Sequence, residues 1–238
     1  MADLKTLAVN ELVLANKILL HNQVLDVFGH VSVRHPEFPE RYLLSSALPP
    51  SLVTTDDILE FNLDASPVDA ANKSLYIERF IHGSIYQARP EVNAICHHHA
   101  KAIMPFCVVS TPLQAVSQTG ASMGANIPVW DSRDEFGDTN LLVSTQEQAD
   151  SLTKTLADSW LVIMRRHGAC SLGNSLRELV FRAVFACRDA EILLSALSLG
   201  EIDPLNSREL KLTEQISNKA ITRAWDHWLT LLQVNSSS

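Results

Sequence analysis

Apolar residues recur on a helical period from Val9 to Leu19, with Leu12, Val13 and Ile18 between them, and predict an amphipathic first helix over residues 8–22. After Phe28-Gly29 the period changes to two. His30-Val31-Ser32-Val33-Arg34 reads as a strand, with Arg41-Tyr42-Leu43-Leu44-Ser45 as its hairpin partner across a turn at 36–40. Pro49-Pro50 closes that strand, and residues 58–63 form another before a loop at 65–72. Ser74 is the expected cap of a helix running to about Gln87, with Ile77, Phe80, Ile81 and Ile85 as its buried stripe and Arg89-Pro90 as its stop. Residues 92–96 read as a strand leading into His97-His98-His99, and 107–130 as short strands and loops. A helix at 145–158, strands at 160–165 and 169–172, a long helix at 175–198 and a terminal helix near 208–233 complete the pattern.

Strands and helices alternate without a Pro/Gly-rich linker, a break in composition or an internal repeat. That predicts one α/β domain over residues 1–238, with a core at about 8–200, and the hairpin signals make its sheet at least partly antiparallel. The chain of 238 residues is 46% hydrophobic and 19% charged, long enough to bury a core without disulfide support. Its net charge of −8, with no Lys/Arg-rich block, argues against a nucleic-acid surface. Asp3, Lys5, Glu11 and Lys17 interrupt the apolar start, so no export signal is expected, and no run is long enough to span a bilayer. Cys96, Cys107, Cys170 and Cys187 show no CxxC spacing, and reduced thiols in a cytoplasmic protein are the expectation.

The candidate chemistry lies at the end of the 92–96 strand. Side chains two apart on a strand share a face, so His97 and His99 can converge on one ion while His98 points away. Catalytic transition-metal sites commonly use three protein ligands and an open position. His167 is the candidate third ligand, and Gly168 beside it permits a close backbone approach. Glu78, on the preceding helix, is placed to ligate the metal without substrate and to move protons with it. Spacing alone does not bring the four together: an HxH pair is a weak signal, Glu78 alone is an ordinary helix residue, and His167 alone is an ordinary loop histidine.

Glu78, together with Tyr86-Gln87-Ala88-Arg89-Pro90-Glu91-Val92-Asn93-Ala94-Ile95-Cys96-His97-His98-His99, resembles the metal-site segment of the class II aldolase/adducin-like family. Arg165-Arg166-His167-Gly168 is similar to its third-histidine motif, and Gly29-His30-Val31-Ser32-Val33-Arg34 to its Gly-Asn-x-Ser-x-Arg strand. The match runs in one order over roughly residues 8–200. It implies a three-layer α/β/α domain, here with a mainly antiparallel central sheet, a catalytic zinc or manganese (iron less so), and a homotetramer with active sites at subunit interfaces.

Sugar-phosphate members hold phosphate with Asn in the first strand motif, a Thr-Gly pair and a Ser-Ser pair before the catalytic Glu. Here His30, Ser46-Ala47 and Tyr76-Ile77 stand at those positions, which disfavours a phosphorylated sugar. Tyr76, Ile77, Leu48 and Pro49 suit an apolar wall, with His30, Arg34, Ser45 and Ser46 to hold carboxylate or hydroxyl groups. GHVSVRHP, LYIERFIHG and FGDTNLLV resemble a branch that includes decarboxylases of hydroxylated aromatic or pyridine carboxylates. The expectation is therefore a metal-dependent lyase acting on a small carboxylate, with Glu78 as proton carrier and His30 second. The alternatives are an aldolase for a non-phosphorylated hydroxy-keto acid, a metal-dependent oxygenase, and a non-catalytic scaffold like the relatives that lack the metal histidines. Cys170 is a minor candidate ligand. Ser117, Gln118 and Thr119 are candidates for polar contacts, and Asp226, His227 and Trp228 for reaching a neighbouring site.

Overall fold

The computed structural model describes residues 3–69, 72–213 and 215–235. Helix α1 (Leu4–His21) begins where the Asp3 carboxylate accepts from the Thr6 backbone N–H at 2.6 Å, and it buries Leu12, Ala15, Ile18 and Leu19. Strands β1 (His30–Arg34) and β2 (Arg41–Ser45) form the expected hairpin, and β3 (Ile58–Asn62) adds to its outer edge. Helix α2 (Arg79–Ala88) is followed by β4 (Ala94–His98), β5 (Val129–Trp130), the single-turn helix α3 (Arg133–Phe136) and α4 (Gln146–Leu156). The hairpin β6 (Leu161–Met164) and β7 (Gly168–Gly173) then leads into the long α5 (Leu176–Leu197), and α6 (Ser207–Thr213) and α7 (Asn218–Asn235) follow.

The seven strands form one sheet in the order β3-β2-β1-β4-β7-β6-β5. Its apolar residues sort into two clusters by face. Val31, Ala94 and Cys96 pack with α1, α5 and Trp225 and Trp228 of α7. Tyr42, Leu44 and Ile95 pack instead with Ile81, Ile85 and Tyr86 of α2 and Leu152 and Leu156 of α4. Helices thus cover both faces, as a sheet apolar on both sides requires. The sheet is mixed, which corrects the expectation of a mainly antiparallel one: β5 runs parallel to β6, while the other neighbouring pairs are antiparallel. A two-residue strand carries no period from which its direction can be read.

Two helices differ from expectation. Ser74 does not cap α2, because its carbonyl is held by the Ala47 N–H and the Tyr76 hydroxyl donates to the Leu48 carbonyl at 2.5 Å. These ties keep residues 74–77 out of the helix, so α2 starts after Glu78 and Ile77 is 56% exposed rather than part of the buried stripe. The terminal helix is broken into α6 and α7; Trp225 and Trp228 seat the second piece in the core, and the partly buried Leu210 packs the first against it. No described helix is long and apolar enough to cross a membrane.

The register places the chemistry. His30 of β1 lies opposite His97 of β4, which lies opposite Cys170 of β7, so these three form a row across the central strands. The β6–β7 turn presents His167, with Arg166 in the left-handed region at φ 60°. At Gly168 a Cβ would lie 2.5 Å from the His98 carbonyl oxygen and 2.8 Å from the His99 ring, so only glycine allows this turn to close on the histidines.

Candidate metal centre

Glu78, His97, His99 and His167 meet at one point, with one ligand-type atom from each within 4.8 Å of all the others. His97 Nε2 and His167 Nε2 lie 3.4 and 3.5 Å from Glu78 Oε2, and the Nε2 atoms of His97 and His99 are 3.1 Å apart. His98 points away, as its strand position requires, and meets the Ser171 hydroxyl at 3.0 Å.

The surroundings orient these donors. His99 Nδ1 lies 3.2 Å from both oxygens of Asp26, an acceptor-only carboxylate, so Nδ1 carries the proton and Nε2 keeps its lone pair toward the cluster. Asp26 is itself fixed by the backbone N–H groups of Phe28 and Gly29, both at 2.9 Å. Burial would raise the Asp26 pKa, but those N–H groups and His99 outweigh it and leave the carboxyl below its ordinary value. Cys170 Sγ is 3.6 Å from His97 Nδ1, on the side of the ring away from Glu78, and burial pushes its thiol well up. Cys170 is therefore a neighbour of a candidate ligand and not a member of the cluster.

Glu78 sits at the positive end of α2, where Oε1 accepts from the Val143 N–H at 3.0 Å. Burial alone would raise its pKa, yet His97 and His167 beside Oε2 hold it well below the usual carboxylate range. Three imidazoles and an ionised carboxylate, with Nε2 lone pairs and Oε2 turned to one point, suit a divalent transition ion. His167 Nδ1 is buried with no partner among the described residues, which leaves Nε2 as the atom through which that ring acts.

The cluster opens into a cavity of about 650 Å³ walled by Phe28, Leu48, Pro49, Tyr76, Ile77 and Leu142, with His30 in its lining. No Lys or Arg is among the residues that line it. The apolar wall expected from Leu48, Pro49, Tyr76 and Ile77 is in place. His30 lies against Tyr76 and His97, with ring centroids 4.4 and 5.1 Å away.

The structure does not bring the remaining candidates to the cavity. Arg34 donates to the carbonyls of Val92, Pro39, Tyr86 and Arg89, and its guanidinium lies 4.8 Å over the Tyr86 ring; it ties β1 to the end of α2 and is not among the residues that line the cavity. Ser45 and Ser46 are buried behind the wall, Ser46 with its N–H on the Asp57 carbonyl. Ser117 and Thr119 bond each other near Gly120, Asp226 and His227 are exposed on α7, and Trp228 is core.

Asp26, Val143, His82 and Leu142 escaped the sequence reading. Leu142 and Val143 lie in the FGDTNLLV segment, and His82 stands one helical turn after Glu78, but neither spacing specifies a role. Asp26→Asn is expected to lower zinc affinity about 10- to 100-fold while all four donors remain, measured by competition with a chromogenic chelator.

The model of the class II aldolase and adducin N-terminal domain matches residues 10–194. The chain is a member of the class II aldolase/adducin family. This family member is 31% identical to decarboxylase tropJ of Talaromyces stipitatus, over 89% of each chain. It is 24% identical to decarboxylase NovR of Streptomyces niveus, over 74% of this chain and 64% of that one. Its fold matches the L-fuculose 1-phosphate aldolase of Glaciozyma antarctica PI12 with a TM-score of 0.80 at 19% identity, covering 98% of this chain and 91% of that one.

Proposed function

We propose that this family member is a metal-dependent carbon–carbon lyase that decarboxylates a hydroxylated aromatic or heteroaromatic carboxylate, with residues 1–238 acting as one domain. The observation that carries the reading is the position of the Glu78/His97/His99/His167 cluster at the end of an apolar cavity lined by no Lys or Arg. Such walls suit a flat ring and offer nothing to a phosphate dianion. The decarboxylase names of tropJ and NovR support the same direction.

A divalent ion, zinc or manganese and less readily iron, held by His97, His99 and His167 and by Glu78 in the absence of substrate, would act as a Lewis acid for oxygen charge developing beside it. Tyr76, Leu48 and Pro49 hold the ring. Glu78, ionised in the free protein, takes the proton of the hydroxyl ortho to the carboxylate. It returns that proton to the ring carbon as the bond to the carboxylate breaks and carbon dioxide leaves. One proton from solvent then restores the hydroxyl, so each turnover consumes one proton and releases one carbon dioxide.

The rim residues Val27, Phe28 and Ile77 are exposed, Phe28 to 72%, which suits coverage by a neighbouring subunit in a homotetramer with interfacial sites. The cysteines are free and buried, in keeping with a cytoplasmic setting.

A panel of ortho-hydroxy aromatic and pyridine carboxylates tests the reaction. Carbon dioxide without aldehyde is expected. Aldehyde from a non-phosphorylated hydroxy-keto acid would make the protein an aldolase, oxygen uptake would make it an oxygenase, and either result would overturn the decarboxylase reading.

A further inference from the structure

Behind His30 runs a buried chain of hydrogen bonds that the reaction above does not use. His30 Nδ1 lies 2.7 Å from His82 Nε2, His82 Nδ1 lies 2.7 Å from Ser32 Oγ, and Ser32 Oγ lies 2.8 Å from the Tyr86 hydroxyl. All four residues are almost completely buried. Each link admits two proton directions, so the ends decide.

His30 and His82 are buried away from water, and among the described residues no carboxylate oxygen lies within 4.0 Å of a nitrogen of either ring, so each is neutral, with one N–H and one bare nitrogen. Burial likewise raises the Tyr86 pKa, so the phenol keeps its proton. The Tyr86 hydroxyl meets no polar atom among the described residues other than Ser32 Oγ. If the chain ran from His30 toward Tyr86, either Ser32 would donate to the phenol oxygen and strand the phenol proton, or His82 and Tyr86 would both donate to Ser32 Oγ and strand the serine proton; each case buries one proton without an acceptor among the described residues. Running the other way, Tyr86 donates to Ser32, Ser32 to His82 Nδ1, and His82 Nε2–H to His30 Nδ1, so every proton from Tyr86 to His30 Nδ1 has an acceptor and only the His30 Nε2–H is left, facing the cavity. The arrangement permits only one fully satisfied direction.

We infer that Tyr86, Ser32 and His82 are positioning residues that fix His30 as its Nε2–H tautomer, so that the ring offers a hydrogen-bond donor to the cavity. His30 Nε2 has no protein partner among the described residues, and the ring lines the cavity beside Tyr76. The substrate group facing it is then an acceptor, a carboxylate or phenolate oxygen rather than an amine or a protonated hydroxyl donor. The assignment also separates the two proton carriers: Glu78 is the base, and His30 is a donor that can neither remove a proton nor ligate an ion through Nε2. The substrate class rests on the cavity being the active site; the tautomer does not.

Long-range proton–nitrogen correlation spectra of ¹⁵N-histidine-labelled, zinc-loaded protein test it, with His30 assigned from its absence in His30→Asn. His30 and His82 are both expected as Nε2–H tautomers. The bias should be about 5- to 150-fold, the range set by leaving one buried donor unpaired. Tyr86→Phe removes the proton that heads the chain and should bring the two His30 tautomers to comparable populations. Ser32→Ala breaks the link without touching a ring and should also abolish the bias, should Tyr86→Phe not fold. Predominant Nδ1–H at His30 in the wild type, or an undiminished bias in either folded variant, would overturn the inference. A wild type that shows the expected spectra but decarboxylates nothing leaves the tautomer assignment standing and removes only the catalytic reading.

Discussion

His97→Ala and His99→Ala proteins are expected to retain the fold and to lose the metal together with activity. Metal affinity should fall by more than about 100-fold, beyond the usual cost of losing a group that merely supports a ligand. His97 is fully buried in the row between His30 and Cys170, so alanine leaves a polar gap, yet Ile95 and Cys96 beside it still pack opposite faces of the sheet. Its melting temperature should therefore drop while the transition stays cooperative. His99 lies just past the end of β4 and is partly exposed, so its removal frees Asp26 at lower cost to the fold. Metal analysis and calorimetry on the same preparations separate loss of the ion from loss of structure. An active, metal-free His99→Ala protein would refute the ligand assignment.

Glu78→Gln should slow turnover by about 10²- to 10⁴-fold, the range for removing a positioned proton carrier, with the fold kept. The amide oxygen of glutamine still accepts from the Val143 N–H, so the start of α2 and the 142–143 segment stay in register. What is lost is the charge beside His97 and His167 and a group able to carry a proton. In metal-free protein the variant should also alter the acid branch of stability. The folded Glu78 carboxyl is held below its ordinary value of 4.5 by the two histidines against the cost of burial. Its stabilising contribution is therefore present above that ordinary value and is lost as pH falls toward the lower, folded one. Wild type should gain on Glu78→Gln as pH rises through the ordinary carboxylate range. Equal turnover in the two proteins would remove Glu78 from the reaction.

The elements that position the cluster were largely legible in the sequence, because each follows from local patterning. Alternation gave β1 and β2 their bounds, and the strand running into His97 announced β4 and the shared face of its histidines. What was hidden depends on contacts between distant segments. Ser74 has the chemistry of a cap, but the Ala47 and Leu48 backbone holds 74–76 first. Ile77 fits a helical stripe only if the helix starts before it. Arg34 is as suitable for a carboxylate as for four carbonyls, and only the fold shows that the carbonyls surround it. Asp26 lies 73 residues from His99, with no motif linking them. Val143 acts through its backbone N–H, which no side-chain pattern reveals.

Metal content of the wild-type protein, measured as purified and after incubation with zinc or manganese followed by desalting, tests the central claim most directly. The account predicts about one divalent ion per chain, as a single three-histidine site holds. A folded protein that carries no ion as purified and retains neither metal after loading would contradict it.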